Sequence, residues 1–232
     1  YLSNTVYSSR MRFFYNILFY IIFISCMHGN KIAVTTKVKG LVEIMPIGKE
    51  NFANLKPGTI LSDGDKIRTG SSGFTAIIFI DDKSTLKLKE NSEAVITGQR
   101  SAQSIAKKIN MDVGTVRATV NKQNSNFVIQ TPTSVASVKG TDFWMITDPV
   151  DGDVVIGLDG VVTLTNNETG AEVDVTEGTS GSSTPDGDVD IEETEESSVP
   201  EDPTDQDEQQ AEIKIYFEGP NGEQKVMIIE YQ

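Results

Sequence analysis

The chain of 232 residues holds one cysteine, one histidine and one tryptophan. A lone cysteine excludes a disulfide framework. One cysteine with one histidine excludes a zinc site built from several such ligands. Most nucleophile–histidine–acid arrangements fall as well, because Cys26 and His28 both lie in or beside an apolar amino-terminal run. Only 38% of residues are hydrophobic, which excludes a multi-span membrane protein of the helical type. No glycine-rich phosphate loop and no dinucleotide fingerprint occur. The net charge of −14 argues against nucleic acid as the main partner.

The scarcity of positive charge is local. Residues 1–139 carry a net charge of +9, whereas residues 140–213 contain no Lys or Arg and carry −22. Such an acidic half either solvates the protein or lies against its own basic half. Near the amino terminus, Met11-Arg12 reads as the true start and residues 1–10 as upstream read-through. The run from Phe13 to Met27 is interrupted only by Asn16 and Ser25, and it is shorter than the roughly 20 residues of a spanning helix. A single positive charge before it and polar residues after it make it a secretory signal, with a short membrane anchor as the alternative. Cys26 has two readings: the lipid-modified residue of a lipoprotein signal, or a residue removed by ordinary cleavage near Gly29. The expected location is extracytoplasmic: periplasmic, anchored at the outer membrane or secreted.

From Lys31 to Thr176 the apolar spacing is mostly two, and Val, Ile and Thr dominate, which predicts strands. Leu86 and Leu88 alternate with polar neighbours, as do Val116, Ala118 and Val120, and Val173 and Val175. Phe74 to Ile80 is apolar on both faces and reads as a central strand. Arg100 to Ile109 is the one stretch compatible with a helix, or equally with a polar loop. Turn chemistry at Asp63-Gly64, Asp81-Asp82-Lys83, Asp151-Gly152, Asp159-Gly160 and Asn166-Asn167 separates the strands. A Gly-x-Val-x-apolar pattern recurs at Gly40, Gly114 and Gly160 without a fixed period. The expected class is all-β: a compact β-roll or sandwich, or a short solenoid-like domain.

Beyond this body the composition changes. Residues 179–210 have almost no apolar side chains and predict a disordered acidic linker. Asp186, Asp188, Asp190 and Glu192 alternate as calcium ligands do, but Ile191 stands where the EF-hand loop needs glycine. Order returns in residues 211–232, where Pro220-Asn221-Gly222 separates two apolar runs and predicts a β-hairpin. An isolated hairpin is marginal in water, so it docks in cis on a sheet edge or pairs with a partner strand. The expected division is therefore 1–29 (upstream residues and signal), 30–178 (β domain), 179–210 (linker) and 211–232 (hairpin).

Two blocks in the β domain resemble the FecR domain family. The first is Leu55-Lys56-Pro57-Gly58 followed by Gly64-Asp65-Lys66-Ile67-Arg68-Thr69-Gly70. The second is Phe127 to Pro132 followed by Val138-Lys139-Gly140-Thr141-Asp142-Phe143, with Gly114-Thr115-Val116 between the blocks. The likeness runs over about residues 33–178. On this resemblance Gly58, Gly64, Asp65, Ile67, Thr69, Gly70, Gly114, Thr131, Pro132, Lys139, Gly140, Thr141 and Phe143 are motif positions, read as determinants of the fold. Lys139 stands where the family usually has Arg, without the planar fork an Arg offers a carboxylate. The resemblance implies a domain that meets a partner protein in surface signalling. The expected form is a stand-alone exported branch without the cytoplasmic anti-sigma segment.

The chemistry expected of such a domain is recognition and not catalysis, with an envelope protein or a glycan as partner and membrane contact only through a lipid on Cys26. No catalytic residue, cofactor or metal is assigned. Asp63, Asp65, Asp81 and Asp82 are the carboxylates that a polysaccharide hydrolase would have to draw on. Arg100, Lys107, Lys108, Arg117, Lys122 and Lys139 are candidates for a basic patch facing an anionic glycan or lipid headgroup.

Overall fold

The structure, a computed structural model, describes residues 30–101, 104–122, 126–204, 212–218 and 224–230, the last two stretches as backbone alone. The apolar amino-terminal run, Cys26 and the Pro220-Asn221-Gly222 turn lie outside the described residues. The chain divides into two compact units, one ending at Thr194 and the other spanning Glu195–Gln232.

The first unit is all-β. Its strands are β1 (Lys31–Lys39), β2 (Val42–Met45), β3 (Ala53–Asn54), β4 (Ile60–Ser62), β5 (Asp65–Thr69) and β6 (Phe74–Phe79). There follow β7 (Thr85–Leu88), β8 (Glu93–Arg100), β9 (Ile105–Thr119), β10 (Phe127–Gln130), β11 (Ser134–Val138) and β12 (Asp142–Asp148). The series ends with β13 (Gly152–Asp159), β14 (Val161–Asn166), β15 (Glu172–Thr176), β16 (Thr179–Ser183) and β17 (Val189–Glu193).

These strands form two layers. The first runs β4-β1-β6-β7-β9-β12-β13-β16-β17, and the second runs β3-β2-β5-β8-β9-β10-β11-β14-β15. Pairing is antiparallel except between β9 and β10. Past the opening strands both orders advance with the sequence, so the chain winds as a flattened roll. The inward faces share one core, and Phe79 of the first layer meets Phe127 of the second edge to face at 5.9 Å.

Strand β9 belongs to both layers. Its first half pairs with β8 and β10, and its second half pairs with β7 and β12. The inward positions change phase between the halves, from Ile105, Ile109 and Met111 to Val116 and Ala118. Gly114 sits at the change with φ +124°, where a Cβ would come within 2.2 Å of Ser92 Oγ. Gly40 and Gly160 also have positive φ and also mark passages between layers, β1 to β2 and β13 to β14. Each is followed two residues later by a core valine: Val42, Val116 and Val162. The recurring Gly-x-Val pattern is thus the local chemistry of changing layer.

Two expectations need correction. Arg100 to Ile109 is neither helix nor loop throughout, because Arg100 ends β8 and Ile105 opens β9. The disordered linker does not begin at residue 179. Thr179–Ser183 pairs with β13, and Val189–Glu193 pairs with it in turn. Small residues suit this place, since a Cβ on Gly181 would lie 2.4 Å from the Val175 side chain of the opposite layer. At Gly181 the opposite layer leaves no room for a side chain.

In the second unit, Glu196–Ser198 forms one 3-10 turn, and Asp202 Oδ1 accepts hydrogen bonds from Thr204 N–H and Oγ1. Glu212–Glu218 and Gln224–Glu230 form an antiparallel two-stranded sheet with Ile215 opposite Met227.

Candidate functional site

The motif residues hold backbone. The Asp65 carboxylate is buried and accepts hydrogen bonds from Ile47 N–H and Ser62 N–H at 3.0 and 2.8 Å. Thr69 Oγ1 donates to the Lys89 carbonyl and accepts from Ser92 N–H. Ile67 and Phe143 lie in the core. Gly58 and Gly64 take positive φ in turns, and Gly70 N–H donates to the Leu41 carbonyl. Gly140 also has positive φ, and a Cβ there would meet the Lys122 side chain at 2.4 Å. Thr141 pairs through its backbone with Val120, while its hydroxyl is buried without a hydrogen-bond partner among the described residues.

The carboxylates offered for hydrolysis are all engaged. Asp63 accepts from Gly98 N–H at 2.9 Å. Asp81 and Asp82, in the turn after β6, each lie 2.9 Å from Lys107 Nζ, whose side chain is fully buried on β9. Lys107 also donates to the Ile105 carbonyl and stands 5.2 Å from the centre of the Phe79 ring. Burial pushes the Asp81 carboxyl up. The Lys107 and Ile105 hydrogen bonds and the ammonium charge outweigh it and hold the group below its usual 3.8.

A second interlayer cluster escaped the sequence reading. Asp153 on β13 is buried, and its Oδ2 accepts hydrogen bonds from the Thr131 and Ser134 hydroxyls of the other layer. Thr131 Oγ1 in turn accepts from Thr133 N–H and Ser134 N–H, which shapes the turn around Pro132. Burial raises the Asp153 carboxyl above its usual 3.8, with the Ser134, Thr131 and Thr147 hydroxyls pulling the other way. Nearby, Asn166 Nδ2 donates to Ser183 Oγ and the Thr184 carbonyl, a further tie between layers. Asp148, the last residue of β12, is held below its usual value by the Asp151 and Val150 N–H groups of the following turn.

The outer face of the second layer is open. A groove of about 480 Å³ crosses β10, β11, β14 and β15 and is lined by Asn126, Val128, Ser137, Lys139, Thr163 and Asp174. An adjoining groove of about 550 Å³ crosses β8, β9 and β10, with Thr97, Gln99, Arg100, Lys108 and Gln130 in its wall. Asn126 and Val128 belong to both. Strand register explains the alignment: Thr97, Lys108, Val128, Ser137, Thr163 and Asp174 form one row across six strands. Of the six basic candidates, Arg100, Lys108 and Lys139 are exposed along these grooves. Lys122 is exposed beside Gly140, Lys107 is buried, and Arg117 holds Asp142 with two hydrogen bonds on the other layer. Among the described residues no three Asp, Glu, His or Cys side chains come together as metal ligands. No helix among them is long and apolar enough to cross a membrane.

Comparison with known proteins gives one family match. The family model described as FecR protein matches residues 65–180. No curated protein matches the chain. Two crystal structures of a protein from Parabacteroides distasonis ATCC 8503, described as an anti-sigma factor, are similar at 15% and 14% identity, with TM-scores of 0.46 and 0.48. Each likeness covers 66% of this chain and 66% of that one.

Proposed function

The chain belongs to the FecR protein family, and from that membership we propose that it is an extracytoplasmic recognition module that serves surface signalling through a partner protein. The observation that carries this reading is the pair of joined grooves on the outer face of the second layer. A polar surface laid on hydrogen-bonded strands is rigid before a partner arrives, so binding there costs little ordering entropy. Its centre is hydroxyl and amide, and its exposed cations are Arg100, Lys108 and Lys139. Such a surface suits a polar or anionic partner segment.

Export rests on the apolar run from Phe13 to Met27, and anchoring rests on Cys26. The turn carboxylates Asp63, Asp65, Asp81 and Asp82 are occupied in holding backbone and Lys107, which favours recognition over glycan hydrolysis.

Photo-crosslinkers at Ser137 and Thr163, used in intact cells, test the reading. The expected product is a crosslink to a transporter or a membrane regulator, lost when Lys108→Glu and Lys139→Glu are combined. Crosslinks unaffected by that double charge reversal would overturn the assignment of this face. Glycan turnover abolished by Asp63→Asn or Asp81→Asn would overturn the non-catalytic reading.

A further inference from the structure

Strand β17 closes the first layer, and its far side is open. It pairs with β16, and no other strand among the described residues pairs with it. In an antiparallel ladder each residue sends its N–H and its C=O to one side, and the next residue sends them to the other. Thr194 N–H donates to the carbonyl of Gly178, just before β16, so the alternate residues Asp190 and Glu192 also bond toward β16. The N–H and C=O groups of Val189, Ile191 and Glu193 therefore point away from the sheet. One of these donors is already covered, because Ile191 N–H donates to Asp190 Oδ1 at 2.8 Å. That carboxylate oxygen stands in for the carbonyl of a next strand and keeps the edge from pairing with any strand it meets.

The strand is set before anything arrives. At one end Thr169 Oγ1 donates to the Gly187 carbonyl at 3.0 Å, and at the other the Ser180 and Thr194 hydroxyls meet at 2.8 Å. Its side chains define what fits beside it. Ile191 stands in the row of Gly181 and the core residue Val155, yet it is 42% exposed. Asp190 and Glu192 take the opposite face, and Glu193 is exposed as well. None of the three acids is in an ion pair among the described residues, and residues 140–213 contain no Lys or Arg. A second copy of this edge would set acid against acid, which disfavours self-pairing.

We propose that β17 is a strand-addition edge for a basic extended segment of a partner protein. Two cations of that segment, spaced two residues apart, face Asp190 and Glu192, and the apolar residue between them covers Ile191. A cation opposite Asp190 draws its carboxylate off Ile191 N–H and frees that donor for the incoming strand. Charge opens the edge, and backbone hydrogen bonds hold what enters. The edge is separate from the grooves and does not rest on their reading.

The full chain, titrated with the peptides Lys-Val-Lys-Val-Lys and Glu-Val-Glu-Val-Glu and followed by amide NMR, tests this. The lysine peptide is expected to bind about tenfold more tightly, since attractive cross-strand pairs replace repulsive ones. The Val189, Ile191 and Glu193 amides should shift, and the Ile191 amide should exchange more slowly. Ile191→Pro removes the outward donor without changing charge, at an edge position that tolerates proline. Binding of the lysine peptide should then weaken about fivefold, as for one lost hydrogen bond. Asp190→Lys should invert the preference between the two peptides. Should Ile191→Pro fail to fold, a lysine peptide with proline in place of both valines makes the complementary deletion against wild type. It keeps its charge and should lose binding. Equal binding of the lysine and glutamate peptides, or of the lysine and proline peptides, would overturn the proposal. So would amide shifts confined to the grooves, or dimerisation of the chain through β17.

Discussion

Two clusters tie the layers together, and they do so by opposite electrostatics. At one, Lys107 from the second layer is pinned between Asp81 and Asp82 of the first. At the other, Asp153 from the first layer is held by the hydroxyls of Thr131 and Ser134 in the second. The first cluster has charge of both signs and holds the Asp81 carboxyl below its usual 3.8. The second has a single titratable group and only neutral dipoles around it. A fold can therefore clasp two sheets with an ion pair or with a hydroxyl cage, but the two devices answer to pH in opposite senses.

The comparison breaks most visibly at Lys107. Lys107→Met leaves two carboxylates facing the core without a cation, and the expected loss of stability is about 3 kcal/mol in urea unfolding. Removal of a buried partner often costs more, but the Asp81 and Asp82 side chains keep 12% and 11% exposure and reach some water. Next comes Thr131→Val, which strips Thr133 N–H, Ser134 N–H and Asp153 of one shared partner. About 2 kcal/mol is expected, because the polar groups left behind are buried. A loss above that of Lys107→Met would reverse the ranking of the two clusters. The smallest effect is the shape of the acid limb. Asp81 is held below 3.8, so its contribution is present above that pH and falls away as the pH drops through the lowered value. Melting curves of wild type should decline there, and those of Lys107→Met should decline less. Equal slopes would separate Asp81 from Lys107.

The two clusters were not equally legible in the sequence. Lys107 stands between Ile105 and Ile109 at a spacing of two, which puts a charged residue on the inward face of β9. That periodicity was available, but a run of adjacent lysines reads as solvent-exposed polarity. The ammonium tolerates burial only because Asp81 and Asp82, from a turn some 25 residues earlier, arrive beside it. Asp153 gave no local sign, since an aspartate next to Gly152 looks like turn chemistry, and its partners come from another layer. Strands were easier to read wherever one face was apolar, as in Thr85–Leu88, and where both were, as in Phe74–Phe79. The hardest were β16 and β17. There the pairing groups are backbone, and Gly181 is required by a close neighbour, so apolar content carries no signal.

Strand β9 has a mechanical consequence. It is one unbroken piece of 15 residues, about 50 Å of contour, bent at Gly114 and laced into both layers. Tension entering along either arm is borne in shear by many ladder bonds at once, instead of peeling them in turn. Neither layer can slide without dragging the other.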